Sequence, residues 1–205
     1  MSSDQAPDII GFWKWFADHN HEILEIMAGR RQGRVTDVID DALSRHNLGF
    51  VYEITEGTFG GELTFTPDGD HQLARAVDHF VAQAPSFETW VIHSRRQRKA
   101  LSAALAFVEA LHGVDLHGLH FNVRKLDGQY HLQFIHAGLA ACQDDRRYAV
   151  AATFLDHALG EATAMTFIGA LDFQAAGEGI DMGLVVNQIT VETSEATGDL
   201  ALTVH

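Results

Sequence analysis

Apolar residues recur at helical spacing through the first quarter of the chain. Between Asp8 and Ala28 they cover a wide face that is bordered by Trp13 and Trp15 and that also contains His19. A second stretch with the same spacing covers Thr36–His46. The pattern predicts two N-terminal helices, and the first has more apolar surface than a single helix contact requires.

Period-two alternation replaces the helical spacing after residue 49 and indicates a β-hairpin around the glycine-containing loop at residues 57–60. If Glu56 faces Gly61, every large apolar side chain of the two strands lies on one face. A helix that ends before Pro85 follows, and then a strand that contains Trp90. This segment therefore predicts a hairpin–helix–strand unit.

The same order recurs after a helix predicted over Arg98–Leu111. Asp127-Gly128 is the strongest short signal for a two-residue hairpin turn, because both positions accept a positive φ. A helix over Asp144–Leu159 and a strand over Met165–Phe173 complete this second unit.

Two pairs of similar segments occur in the same order in both units. Glu62–Phe65 matches His131–Phe134, and Phe80–Ala84 matches Phe154–Ala158. They favour a duplicated unit, with right-handed crossovers and a mixed sheet. The alternative is that any hairpin followed by a helix would show such similarity.

The last thirty residues allow two interpretations. One is a hairpin through Glu195–Gly198, and the other is a short helix over Asp181–Gln188. The predicted fold is α+β: N-terminal helices followed by two tandem β-hairpin–α–β units that form mixed, largely antiparallel sheet with helices on one face. The segments of this one compact domain are residues 1–47, 48–112 and 113–205.

Several short motifs resemble those of a group of bacterial proteins with a Phe-Trp-x-Trp-Phe first helix. They are Phe12–Phe16, the hairpin pairs Glu53-Ile54 and Glu62-Leu63, Ala84-Pro85 before Trp90, and the Leu-Asp-x-x-Leu-Gly-Glu stretch at Leu155–Glu161. The likeness spans most of the chain. No function is known for the group, so the resemblance implies none.

Charge and cysteine content narrow the classes of partner and compartment. The net charge of −14 disfavours nucleic acid and anionic membrane surfaces, which require basic residues, and it permits a basic protein partner. Cys142 stands alone, so no disulfide can form within the chain. The N-terminus lacks the pattern of a signal peptide. We therefore expect a soluble cytoplasmic protein that binds neither nucleic acid nor membranes.

Histidines are numerous, and the densest group is His112, His117 and His120. Histidine is a common ligand of zinc and similar metals, and Asp115 or His136 could complete a site. The hairpin register argues against a site that uses both His120 and His136, because it places them on opposite faces of the strands. The alternative is a set of surface histidines without metal, and no cofactor is predicted.

A polar face is predicted on the second hairpin, where Arg124 faces His131 and Asn122 faces Gln133. Such a face can hold a ligand, or it can be the solvent side of a half-buried sheet. The basic run Arg95–Lys99 could contact an acidic partner or a phosphate, or pair with acids of the chain itself.

The chain lacks the common sequence motifs of serine hydrolases, phosphate-binding loops, dinucleotide-binding folds, zinc proteases and paired-cysteine sites. We therefore expect a non-enzymatic binding or regulatory protein that acts through protein–protein contacts or self-association, with a homodimer through the first helix as one form. Trp13, Trp15 and His19 would then contribute to the contact. The alternatives are a small-ligand protein with a pocket between the repeats, and a histidine-dependent metal-binding protein or metalloenzyme.

Overall fold

The computed structural model describes residues 6–58 and 60–201, with side chains described as far as Glu195. The fold is α+β, with N-terminal helices followed by strands and further helices, as predicted. The chain divides into two compact units, Met1–Arg95 and Arg96–His205. The boundary predicted at residue 112 groups the preceding helix with the first hairpin. The structure instead divides the chain after residue 95, which places that helix, Leu101–His112, in the second unit. Within the described residues, no helix is both long and apolar enough to cross a membrane.

The first unit contains a hairpin that forms in the predicted register. Its described elements are α1 (Ile9–Met27), α2 (Val35–Arg45), β1 (Val51–Gly57), β2 (Gly60–Thr66), α3 (His71–Val81) and β3 (Trp90–His93). Glu56 lies opposite Gly61, and Ile54 lies opposite Leu63. Strand β3 pairs in parallel with β2, which gives the order β1-β2-β3. Because α3 ends four residues before Pro85, the proline follows the helix rather than terminating it directly.

The wide apolar face of α1 packs inside the first unit. Phe12, Phe16 and Ile23 are fully buried, and Trp13 is 2% exposed. The Trp13 ring stacks on Phe80 of α3 with 4.7 Å between the ring centroids. Burial of a large apolar side chain contributes about 1.5–3 kcal/mol, so this face is a main source of the unit's stability.

The second unit repeats the arrangement of strands. Its described elements are α4 (Leu101–His112), β4 (His120–Leu126), β5 (Gln129–Ile135), α5 (Ala137–Ala140), α6 (Asp144–Leu159), α7 (Glu161–Phe167), β6 (Ile168–Gln174), β7 (Ile180–Asp181) and α8 (Met182–Ala201). Strand β5 pairs antiparallel with β4 and parallel with β6, in the order β6-β5-β4-β7. In both units, therefore, the second hairpin strand pairs in parallel with the strand that follows the next long helix, as the ββαβ prediction requires.

Two predictions for the C-terminal half are wrong. Met165 and Phe167 lie in helix α7, and the strand begins only at Ile168. The helix forms because residues 161–165 are mostly good helix formers that follow the break at Gly160, whose φ is +88°. The hairpin through Glu195–Gly198 is replaced by α8, which contains most of the alternative helix over Asp181–Gln188 and extends well beyond it.

The start of α8 has a clear physical basis. The carboxylate of Asp181 accepts hydrogen bonds from the backbone N–H groups of Gly183 and Leu184 at 2.8 and 3.3 Å, which is the arrangement of a helix cap. Val185 and Ile189 are four residues apart and both are 1% exposed. The helix therefore forms because a capping residue precedes an apolar face with helical spacing.

Candidate functional site

One face of the second sheet brings together the four polar residues that the hairpin register predicted. Arg124 faces His131 and Asn122 faces Gln133. The side-chain amide of Asn122 donates to the Oε1 atom of Gln133 at 2.9 Å. The residues between them on both strands alternate toward the hydrophobic core, so these four side chains point away from it. We call the surface formed by these four residues the polar face.

Strand β6 widens the polar face on one side. Ala170 lies beside His131 and Asp172 lies beside Gln133. Neighbouring strands are about 4.8 Å apart, so the exposed Asp172 is an immediate neighbour of the Gln133 amide. Sequence analysis missed Asp172 because the pairing of β5 with β6 is not local. Its alternation with Leu171 and Phe173 was the available signal.

Gly169 allows the His131 ring to approach the backbone of β6. A Cβ atom at this position would lie 3.1 Å from Nε2 of His131 and 2.7 Å from Oε1 of Gln129. Both distances are shorter than ordinary contacts, so a larger residue would displace His131 or the end of Gln129. The glycine therefore helps to position one of the four side chains of the polar face.

The polar face contains groups that are able to form hydrogen bonds and ion pairs with a bound molecule. Arg124 is exposed, and its guanidinium has no hydrogen-bond acceptor or ion-pair partner within the described part of the chain. A guanidinium can hold a carboxylate or phosphate through two parallel hydrogen bonds. The Asn122–Gln133 pair retains further amide donors and acceptors beside it. The face thus offers a cation and a hydrogen-bonding amide pair within one short stretch of sheet.

The three residues predicted on helix α1 lie in the first unit and have contacts there. The indole N–H of Trp13 donates to the carbonyl oxygen of Phe80 at 2.8 Å. Trp15 stacks on His19 with 5.0 Å between the ring centroids, and the Arg45 guanidinium lies 6.0 Å from the Trp15 ring. The His19 Nδ1 atom is 2.8 Å from the carbonyl oxygen of Trp15. Trp13 is therefore part of the core, and Trp15 and His19 form a half-buried stack beside it.

The histidines of the predicted metal site have separate hydrogen bonds. His112 contacts the Thr153 hydroxyl at 3.0 Å, His117 contacts Asp115 at 2.6 Å, and His120 contacts the carbonyl oxygen of Gly118 at 2.9 Å. Burial, together with the nearby Arg146, lowers the pKa of His112. In the part of the chain that the structure describes, no group of three histidine, cysteine or acidic side chains has the geometry to hold a metal ion.

The basic run at residues 95–99 pairs with acids of the chain at its first two positions. Arg95 contacts Asp78 at 3.0 Å in the first unit. Arg96 contacts Asp156 at 2.9 Å and Glu161 at 3.8 Å in the second unit. Asp156 and Glu161 belong to the Leu-Asp-x-x-Leu-Gly-Glu motif, so this motif holds the first residues of its unit against α6 and α7. This structural role could not be read from the sequence, because the partners are sixty or more residues apart.

A second polar cluster joins α8 to the β4–β5 hairpin. The Tyr130 hydroxyl donates to the Glu192 carboxylate at 2.5 Å, and the Lys125 ammonium donates to the same oxygen at 2.7 Å. The hydrogen bonds from Lys125, Tyr130 and Gln188 lower the pKa of Glu192 to about 2. Burial and the hydrogen bond to Glu192 raise the pKa of Tyr130. A tyrosine that is hard to ionise and is bonded to a carboxylate serves as a structural contact here.

In comparisons with protein-family models, with curated proteins and with solved structures, nothing matches this chain. Functional inference therefore depends on the geometry described above.

Proposed function

We propose that this protein is a non-enzymatic binding protein that acts through protein–protein contacts, and that the polar face makes the contact. The observation that carries the proposal is the exposed Arg124 guanidinium, which lacks an acceptor within the described residues and stands beside the hydrogen-bonding Asn122–Gln133 pair. Arginine is among the residues that contribute most often and most strongly to protein interfaces. A partner can supply the acceptor that the described chain does not.

The chemistry of the polar face specifies what the partner presents. A carboxylate opposite Arg124 would form two hydrogen bonds to the guanidinium, and backbone or amide groups would meet the Asn122–Gln133 pair. The net charge of −14 repels proteins that are acidic overall. The partner therefore carries its carboxylate within a neutral or basic surface, and this combination gives specificity.

The aromatic face of α1 adds no support for a contact at that helix. Phe12, Trp13 and Phe16 are already buried within the first unit, and Trp15 is half-buried there. A partner that used them would first have to expose them, at about 1.5–3 kcal/mol for each residue. Self-association through α1 remains a prediction from the sequence and is separate from the present proposal.

Site-specific photo-crosslinking tests the proposal. A photoreactive amino acid replaces Arg124 in one variant and Arg75 in a matched variant. Arg75 is an exposed arginine on α3 that also has no ion-pair or hydrogen-bond partner within the described residues. After irradiation in cells of the source organism, we expect a discrete protein adduct at position 124 that is absent at position 75. Mass spectrometry then identifies the partner.

Affinity measurements with the identified partner complete the test. Truncation or reversal of an interface arginine costs about 2 kcal/mol or more, which corresponds to roughly 30-fold in Kd. We expect this loss for Arg124→Glu and little change for Arg75→Glu, although both change the net charge equally. The absence of any adduct at position 124, or equal losses for the two variants, would contradict the proposal.

A further inference from the structure

Strand β3 is an edge strand of the first sheet. Its register with β2 determines which of its backbone groups point outward. The N–H of Gly61 donates to the carbonyl oxygen of Thr89 at 2.9 Å, and Gly61 lies beside Trp90. In a parallel pair, alternate residues direct both backbone groups toward the neighbouring strand. In this register the N–H and C=O groups of Val91 point toward β2, and those of Trp90 and Ile92 point toward the free edge. Among the described hydrogen bonds, none uses these edge groups.

A groove lined mostly by apolar residues runs beside this edge. Its volume is about 320 Å³, and it is lined by the end of α3, by the loop that follows it and by β3 itself. Val81, Ala84 and Phe87 supply much of its wall, and no charged side chain lines it. Val91 is 52% exposed on the strand. An edge strand beside a groove that can take a side chain is the kind of surface that binds an extended peptide by strand addition.

An acidic cleft continues from the groove at the start of β3. The two share Phe87, Trp90 and Val91, and the cleft has a volume of about 230 Å³. Glu62 and Glu88 line it together with Gly57, Thr58 and Gly60. The first 95 residues contain 15 acidic and 7 basic residues, a net charge of −8, so the surroundings share the sign of the cleft. Charge complementarity therefore favours a basic side chain in this cleft.

We propose that the free edge of β3 adds an extended segment of a partner protein as a fourth strand of the first sheet. The segment pairs its backbone with Trp90 and Ile92, places an apolar side chain in the groove and reaches the acidic cleft with a lysine or arginine. This surface is distinct from the polar face and lies in the other unit. The partner class is a basic, alternating apolar segment, in contrast to the carboxylate that suits Arg124.

Peptide display on the full chain tests this inference. Random peptides of about ten residues are selected on the wild-type protein, a length sufficient for strand addition. We expect enriched peptides to have apolar residues at alternate positions and at least one lysine or arginine. Enrichment of peptides without this pattern, or no enrichment above an unrelated control protein, would overturn the proposal.

Matched variants locate the site of peptide binding. Val91→Lys places a charge on the β3 edge, and Val51→Lys places the same charge on β1, the other edge strand, where Val51 is 47% exposed. We expect Val91→Lys to weaken binding of the best selected peptide by about tenfold or more, and Val51→Lys to leave it nearly unchanged. Equal effects of the two substitutions would refute the assignment to β3.

Three further measurements separate the backbone contact from its alternatives. Ile92→Pro removes an outward N–H without removing a bond to β2, and edge strands tolerate proline, so peptide binding should fall while tryptophan emission stays native. Glu88→Gln should weaken the binding of only those peptides that contain lysine or arginine.

Sedimentation of the wild-type chain tests whether the β3 edge instead binds a second copy of this chain. A dimer that disappears in Val91→Lys would assign the edge to a second copy of this chain and overturn the proposal.

Discussion

Removal of the Glu161 carboxylate should destabilise the protein more than removal of any exposed acid. Glu161 is fully buried. Its carboxylate accepts a hydrogen bond from the backbone N–H of Arg96 at 3.0 Å and lies 3.8 Å from the Arg96 guanidinium. Its own N–H donates to the Arg96 carbonyl oxygen at 3.0 Å. Glu161→Ala therefore removes a buried hydrogen-bond acceptor and one of the carboxylates that surround a largely buried cation.

The expected magnitude follows from these contacts. Removal of one partner from a buried ion pair typically costs about 3–5 kcal/mol, and a buried N–H without its acceptor costs about 1–3 kcal/mol. Arg96 keeps its 2.9 Å contact with Asp156, which places the loss toward the lower end of the first range. We expect Glu161→Ala to lower the free energy of unfolding by about 3 kcal/mol. Glu161→Gln keeps an acceptor for the N–H and should lose less.

Urea unfolding followed by far-ultraviolet circular dichroism is the appropriate assay. All three tryptophans (Trp13, Trp15 and Trp90) precede residue 96, so their fluorescence reports on the first unit and not directly on the region of Glu161. With a urea m-value of about 1–3 kcal/mol per molar, a loss of about 3 kcal/mol shifts the midpoint by about 1–3 M. Glu109→Ala, at an exposed position of α4, is the matched control and should change stability by less than about 0.5 kcal/mol. If the two variants have the same midpoint, the assigned role of the buried cluster is wrong.

Three further outcomes are expected. A Cβ at Gly61 would lie 2.4 Å from the buried Trp90 ring, so Gly61→Ala should cost about 1–3 kcal/mol by overpacking and change tryptophan emission. Gly49 has open space around it, so Gly49→Ala should change neither stability by that amount nor the emission. The folded-state pKa of Glu192 is about 2 against an ordinary value of 4.5, so its contribution to stability is present above pH 4.5 and is lost as the pH falls toward 2. The stability difference between the wild type and Glu192→Gln should vanish over that window, and a difference that persists at pH 2 would contradict the assignment. Neither equimolar zinc nor a chelator should change the melting temperature. A metal site occupied at a free zinc concentration of one hundred times its Kd would instead add about 2.7 kcal/mol of stability, which a thermal melt would detect.

Local signals were sufficient to predict the two hairpins and their registers. Asp127 and Gly128 have φ values of +50° and +82°, which are the values that a two-residue turn of this type requires. Once the turn is placed, the pairing of Arg124 with His131 follows from counting residues along the two strands. The polar face could therefore be predicted, because each contact within it spans at most eleven residues of sequence.

Non-local contacts explain what the sequence did not reveal. Asp172 reaches the polar face only through the parallel pairing of β5 with β6, and local sequence patterns do not reveal the register of such a pair. The β3 groove likewise depends on the position of α3 beside a strand that follows nine residues later. Helix α8 was predicted only as a short alternative, because six of its twenty residues are valine or threonine, which favour strands over helices.

The comparison of the two units separates residues that maintain the fold from residues that are free to recognise a partner. In the matching segments Glu62–Phe65 and His131–Phe134, the inward residues are leucine and phenylalanine in both copies, and all four are at most 1% exposed. The outward residues differ, with Glu62 in one copy and His131 in the other. Core packing limits the inward positions, since a change of even one methylene group in a packed interior alters stability, whereas the outward positions have no such limit. Because outward differences are not required by the shared ββαβ fold, we expect the two units to recognise different partner chemistry: a basic segment at the acidic edge of β3 and a carboxylate at Arg124.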